Sequence, residues 1–288
     1  MDPIAVLKRH NIQPSKGLGQ SFLMDRDVLR QIVEASEITP ADVVLEVGPG
    51  VGQLTRALAE RAAAVVAVEL DRKMIAVLAE ELAHSSNVHI IEGDILQVDP
   101  VEAVRSIAPP SSTTPLRYKV VANLPYYITS AAIRHLLGAH PRPELMTLML
   151  QSEVAQRIVA QPGEMSLLAL GVQMYGTPEV VCHVPSSAFY PRPQVDSAVL
   201  RVRVDPQPRV PEAELPRFFQ VAQAGFGQKR KQLHNSLAHS LHLPTQVILE
   251  ALERAGIDAE RRAQTLSIAE WATLAQALPT PQPSARAR

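Results

Sequence analysis

A single cysteine, Cys182, stands among the 288 residues. That excludes an internal disulfide framework and fits a reducing cytoplasm, where the protein is expected to work. The thiol sits in the apolar run Val180–Val184, where it is expected to pack rather than attack. No apolar run is long enough to span a bilayer and no signal-peptide pattern opens the chain, so no membrane partner is expected. An excess of either charge is also missing: 28 Lys and Arg stand against 29 Asp and Glu, a net charge of −1. The strongly basic profile of many nucleic-acid binders is therefore absent, and any contact with phosphates must come from local patches. The nine histidines show no metal-ligand spacing, so no metal is expected.

The length allows one large or two modest domains with a substantial core. Short β-branched or apolar runs fall at 43–47, 65–69, 88–91, 118–122, 145–150, 179–184 and 197–204, with helical patterns between most of them. Such alternation predicts an α/β architecture with a doubly wound, mostly parallel seven-stranded sheet. A Pro-rich link and no long helix separates the last two runs, so they are expected to pair antiparallel. From Asp205 the strand pattern stops. Pro206, Pro208 and Pro211 mark a linker, and helical periodicity follows at 212–224, 229–241, 245–255 and 267–278. The expected division is an α/β domain over 1–204 with an N-terminal arm at 1–24, a small all-helical domain over 205–278, and a Pro-rich, disordered tail at 279–288. The stretch 108–115 is expected to be an exposed loop.

The chemistry gathers at the ends of the early strands. The run Val43–Val47 leads into Gly48-Pro49-Gly50-Val51-Gly52 and then a helical pattern. Glycines let the backbone turn sharply and approach a ligand without a Cβ in the way. A dinucleotide-binding turn would place its third glycine at position 53, which is Gln here. The shorter spacing suits S-adenosylmethionine, which has no pyrophosphate to cradle. Glu69 ends the next strand, where a carboxylate can accept both ribose hydroxyls of an adenosine. Asp94 follows the third strand, placed to accept a bond from an adenine amino group while Ile95 packs on the ring.

After the fourth strand comes Asn123-Leu124-Pro125-Tyr126. The Asn123 side-chain oxygen and the Leu124 carbonyl offer two acceptors for an exocyclic amine, and the Tyr126 ring offers a face for a flipped base. On that reading the Tyr126 hydroxyl is dispensable. Each piece alone also reads as an ordinary turn or strand end. Their succession at consecutive strand ends favours one ligand site, because open α/β sheets bind ligands outside the carboxyl ends of their strands.

Longer motifs carry a resemblance over nearly the whole chain. They are the segment Lys16–Leu23, the run Asn123–Thr129, the stretch Gln151–Ala160, the Phe189-x-Pro191-x-Pro193-x-Val195-Asp196-Ser197 signature, and Arg230–Leu237. Together with the glycine turn, Glu69 and Asp94, they resemble the bacterial small-subunit ribosomal RNA adenine-N6,N6-dimethyltransferases. The resemblance implies a class I methyltransferase (Rossmann-like) fold and S-adenosyl-L-methionine as cofactor. It implies dimethylation of N6 on two adjacent adenosines in the 3′-terminal hairpin loop of 16S rRNA, within the 30S subunit or its precursor, by a monomer serving ribosome biogenesis.

It further implies roles for single residues. Asn123, Leu124, Tyr126 and Phe189 would handle the base. Gln20, Ser21, Leu23, Gly48, Gly50, Glu69, Leu70, Asp94, Ile95 and Asn123 would hold the cofactor. Arg192, Lys229, Arg230 and Lys231 would meet RNA. From the residues alone, Arg201 and Arg203 are expected to extend that patch along the active-site face, although arginines at strand edges are often merely solvated. Leu18 and Ser21 depart from the family's aromatic and Asn, and the loop 162–167 is shorter than the family's. Two other readings stay open: a 23S rRNA adenine-N6 methyltransferase of the macrolide-resistance type, and an RNA-binding assembly factor without catalysis.

Overall fold

The computed structural model describes residues 2–107, 116–228 and 230–279. The expected loop at 108–115, Lys229, and the tail from 280 on lie outside the described residues. The chain forms two compact units, one of 1–159 with 175–206 and the other of 160–174 with the chain from 207 onward. The second unit takes in 160–174, which the sequence reading leaves in the first. The backbone explains it: Gly163 and Met165 N–H both donate to the Gln264 carbonyl, at 2.9 and 3.1 Å. The helix Leu167–Gln173 in that segment buries Ala169, Leu170 and Val172, a local pattern that looks the same in either unit.

The first unit contains nine strands: β1 (Phe22–Leu23), β2 (Val43–Val47), β3 (Ala64–Glu69), β4 (Val88–Glu92), β5 (Lys119–Asn123), β6 (Leu145–Gln151), β7 (Gly176–Val184), β8 (Phe189–Tyr190) and β9 (Ser197–Val204). Seven form one sheet in the order β4-β3-β2-β5-β6-β9-β7. The first five are mutually parallel. β9 runs antiparallel to both β6 and β7. The central strands are covered on both faces, which is why Val44, Leu45, Val65, Val66 and Ala67 read as unbroken apolar runs. Asp25, Asp71 and Asp99 cap the helices Arg26–Ala35, Arg72–Glu81 and Pro100–Arg105 by accepting backbone N–H groups.

β2 has β3 on one side and β5 on the other. The connections leaving these two strands therefore diverge, and a crevice opens at their carboxyl ends. The two-residue strands β1 and β8 pair antiparallel, Phe22 with Tyr190 and Leu23 with Phe189. That pairing brings the N-terminal segment to the Phe189–Ser197 signature.

The second unit contains helices Leu215–Phe226, Leu233–Leu241, Thr245–Arg254 and Ile268–Ala277. Trp271 is fully buried and stacks on Phe226 at 5.6 Å between centroids. Gly225 permits that packing, since a Cβ there would fall 2.4 Å from the indole. The second of these helices begins at Leu233, with Gln232 as N-cap, rather than at 229. Arg230 and Lys231 therefore sit in the turn before it, not in its first turn.

Candidate active site

A cleft of about 430 Å³ opens at the carboxyl ends of β2, β3 and β5. Its floor is the glycine turn, where Gly48, Gly50 and Gly52 hold φ of 68°, 57° and 83°. At such angles any other residue is strained. A Cβ on Gly50 would also press within 3.0 Å of the Phe22 ring. Gly48 lies beside Asn123, since a Cβ there would stand 3.7 Å from the Asn123 carbonyl oxygen. The ends of β2 and β5 thus meet at the switch point.

Three acids line this cleft, Glu46, Glu69 and Asp94, and no Lys, Arg or His does so among the described residues. Glu69 is buried, and one oxygen accepts the Asp71 N–H at 2.8 Å while the other lies 3.4 Å from the Gly50 N–H. Burial raises its pKa against the pull of those N–H groups. Glu46 was not singled out in the sequence. It is 1 % exposed, and neither carboxylate oxygen has a hydrogen-bond partner within bonding distance among the described residues. Burial pushes its pKa up to about 8, against the pull of the nearby Thr55 hydroxyl and helped by the charge of Glu69. A glutamate inside an otherwise apolar strand, one residue before the glycine turn, was the available signal. Asp94 turns one oxygen to the Leu96 N–H at 2.9 Å. Ile95 is buried and Leu70 half exposed, and both line the cleft.

Asn123 and Leu124 show an open pair of acceptors. The Asn123 Nδ2 donates to the Ser21 carbonyl at 3.3 Å, which turns Oδ1 away with no partner among the described residues. Leu124 N–H donates to Met149 at 3.0 Å, and its own carbonyl accepts no bond among the described residues. Tyr126 lines the same wall, and its hydroxyl lies 2.8 Å from the Ser197 Oγ. The hydroxyl thus has a partner within the protein, which the sequence does not show. Phe189 lines the cleft yet is only 6 % exposed, and it packs in a core cluster with Leu23 and Met149.

The N-terminal segment is tied down by its own side chains. Gln20 lines the cleft, and its side chain accepts the Ser15 N–H and donates to Asp71, both at 2.8 Å, which braces the arm. Ser21 Oγ donates to the Pro191 carbonyl at 2.9 Å, and so pins the arm to the signature segment. Arg192 is exposed and donates through Nε to Ser186 at 3.0 Å. Arg201 and Arg203 do not extend toward the cleft. Ser197 pairs with Gln151 and Arg203 with Leu145, so β9 runs from the cleft end toward the opposite edge. There both arginines bind Glu37, and Arg201 also binds Glu179 at 2.8 Å. Arg230 and Lys231, in the other unit, are exposed and have no ion-pair partner among the described residues. Lys229 lies outside the described residues. No metal-holding group of His, Cys, Asp or Glu occurs among the described residues, and no helix there is long and apolar enough to cross a membrane.

A glycine cradle at the switch point of a seven-stranded sheet, with antiparallel pairing of its last strands, defines a class I methyltransferase. Two solved structures resemble the chain in fold. The 23S rRNA methyltransferase ErmE matches with a TM-score of 0.70 and 31 % identity, over 89 % of this chain and 99 % of its own. A dimethyladenosine transferase from Plasmodium falciparum matches with a TM-score of 0.73 and 25 % identity, over 88 % and 95 %. The profile described as ribosomal RNA adenine dimethylase matches residues 11–279, and the chain belongs to that family. A ribosomal RNA small subunit methyltransferase A from Dehalococcoides mccartyi is 46 % identical over 269 residues, covering 93 % of this chain and 90 % of the relative. Its counterpart from Moorella thermoacetica is 43 % identical over 277 residues, covering 96 % of each. The protein is thus an enzyme that dimethylates adenine in ribosomal RNA.

Proposed function

We propose that the protein uses S-adenosylmethionine to dimethylate N6 of two adjacent adenosines in the 3′-terminal hairpin loop of 16S rRNA. It acts as a monomer in the cytoplasm, on the 30S subunit or its precursor, in small-subunit biogenesis. The observation that carries this reading is the meeting, at one switch point, of an acid-lined glycine cradle with the open acceptors of Asn123 and Leu124. The cradle fits the cofactor on its own chemistry. It offers buried carboxylates and, among the described residues, no cation, which suits a ligand bearing ammonium and sulfonium charges and opposes a pyrophosphate.

When bound, S-adenosylmethionine supplies an electrophilic methyl carbon. Glu69 would accept the ribose hydroxyls, Asp94 the adenine amino group, and the orphaned Glu46 carboxylate would meet positive charge. Gly48 and Gly50 let the backbone come close. Across the cleft, Asn123 Oδ1 and the Leu124 carbonyl would each take one N6 hydrogen. That draws the amine out of conjugation with the ring and frees its lone pair. Tyr126 and Phe189 would wall the base, and alignment supplies most of the acceleration. The proton then leaves to solvent. Arg192 and the exposed Arg230 and Lys231, with Lys229, would meet the RNA backbone.

A second reading, methylation of 23S rRNA, has the likeness to ErmE in its favour. The higher identity to relatives named for the small subunit supports the first. The test is single-turnover methylation of unmethylated 30S particles and of 50S particles, beside calorimetric titrations with S-adenosylmethionine and NAD. Dimethyladenosine in 30S alone, with binding of S-adenosylmethionine alone, is expected. Methylation confined to 50S particles overturns the assignment.

A further inference from the structure

We propose that Tyr127 is a stacking platform for the nucleobase adjacent to the adenine held in the cleft. The inference rests on the function proposed above and adds a second base subsite to it. Tyr127 lines the cleft directly after Tyr126, yet the residue is 61 % exposed. Its hydroxyl has no hydrogen bond among the described residues, so neither packing nor polar bonding accounts for a large aromatic at this place. The ring is nonetheless backed by protein. A Cβ on Gly19 would stand 3.7 Å from two of its carbons and from the Pro125 Cβ, at a residue held at φ +63°. One side of the ring leans on the N-terminal arm, and the rest is open at the cleft mouth.

The lining of the cleft says what kind of group belongs there. Glu46, Glu69 and Asp94 line it, and no Lys, Arg or His does so among the described residues, so a phosphate drawn into it would meet repulsion. An uncharged base face does not meet that penalty, and stacking on an aromatic ring needs no particular base edge. The substrate provides such a base. With two adjacent adenosines to be modified, one adenine occupies the cleft while its neighbour stands one nucleotide away at the mouth. Tyr126 would hold the first and Tyr127 the second. A platform that serves either neighbour lets the enzyme treat both positions with one pocket.

The test compares Tyr127→Ala and Tyr127→Phe with the parent on two kinds of unmethylated 30S particle. One carries the two adenosines, and the other carries uridine in place of the neighbour of the target. On the first, Tyr127→Ala is expected to lower kcat/KM by roughly 5- to 150-fold, the range for one base stack. Tyr127→Phe should stay close to the parent. On the second particle the alanine penalty should shrink, since a pyrimidine offers less face to lose. Calorimetry with S-adenosylmethionine should give the same Kd for all three proteins. An alanine variant as active as the parent overturns the platform, as does an equal penalty on both particles. Weakened cofactor binding would make Tyr127 a lid over the cofactor and overturn it as well. Failure of the parent to methylate either particle would instead count against the proposed function.

Discussion

Removing the hydroxyl of Tyr126 tests whether its ring is held in place or merely present. The hydroxyl lies 2.8 Å from Ser197 Oγ, and Ser197 is 1 % exposed at the start of β9, between β6 and β7. Tyr126→Phe keeps the π-face but leaves a buried serine hydroxyl unsatisfied, at a cost of about 1–3 kcal/mol in stability. Ser197→Ala leaves the tyrosine hydroxyl, which is only half-buried and can turn toward water, so its stability cost is smaller. If the bond fixes the ring against the base, each single variant should slow single-turnover methylation about 5- to 10-fold, which corresponds to roughly 1–1.4 kcal/mol. Cofactor Kd should not move. The double variant should be no slower than the slower single, because both remove the same bond, which gives a coupling energy of about 1 kcal/mol. Tyr126→Ala should lose the stack as well and fall further. The assay is a double-mutant cycle on single-turnover rates with unmethylated 30S particles. Strictly additive slowing, or a phenylalanine variant at the parental rate, would refute the tether.

Asn123→Ala should cut methyl transfer by at least about 100-fold, the usual loss when a preorganised polar group facing the transition state is removed. Cofactor Kd should change only a few-fold, and parental turnover would remove Asn123 from its role. Glu46→Gln should matter to stability in a pH-dependent way. A carboxyl raised to about 8 in the fold binds its proton more tightly there than in the unfolded chain. Its presence therefore weakens the empty fold as pH climbs from about 4.5 to 8, by about 1.4 kcal/mol per unit. The Gln variant should melt with the parent near pH 5 and above it at pH 8, and equal melting temperatures at both would place Glu46 in an ordinary environment. Replacing Arg230 and Lys231, with Lys229, by Gln should weaken 30S binding and flatten its salt dependence while sparing the cofactor. An unchanged slope of log affinity against log salt would make them solvated turn residues.

All seven strands of the main sheet were legible, the five parallel ones as dense apolar runs such as Val43–Val47 and the antiparallel β7 and β9 as β-branched runs. Glu69 and Asn123 were legible as the residues that end two of them, and Asp94 as the acid just beyond β4. What escaped depends on partners far off in sequence. β1 and β8 are two residues each, too short for any period, and only the fold brings Phe22 beside Tyr190. The Tyr126 bond to Ser197 and the bracing of Gln20 by Asp71 are invisible for the same reason. Arg201 and Arg203 were misplaced because strand direction, not composition, decides which edge a side chain reaches. The late start at Leu233 follows from a local choice: the Lys231 N–H donates to the Gln228 carbonyl at 3.1 Å, and the helix begins only after Gln232.

Dimethylation of two neighbouring adenines of the small-subunit rRNA by this chain is tested most directly by mass spectrometry of the 3′ end of 16S rRNA, from cells with and without the gene. Cells with the gene should carry two adjacent N6,N6-dimethyladenosines, and cells without it should carry two unmodified adenosines. Restoring the gene should return both marks, and restoring Asn123→Ala should not. Two dimethyladenosines persisting in the deleted strain would contradict the account.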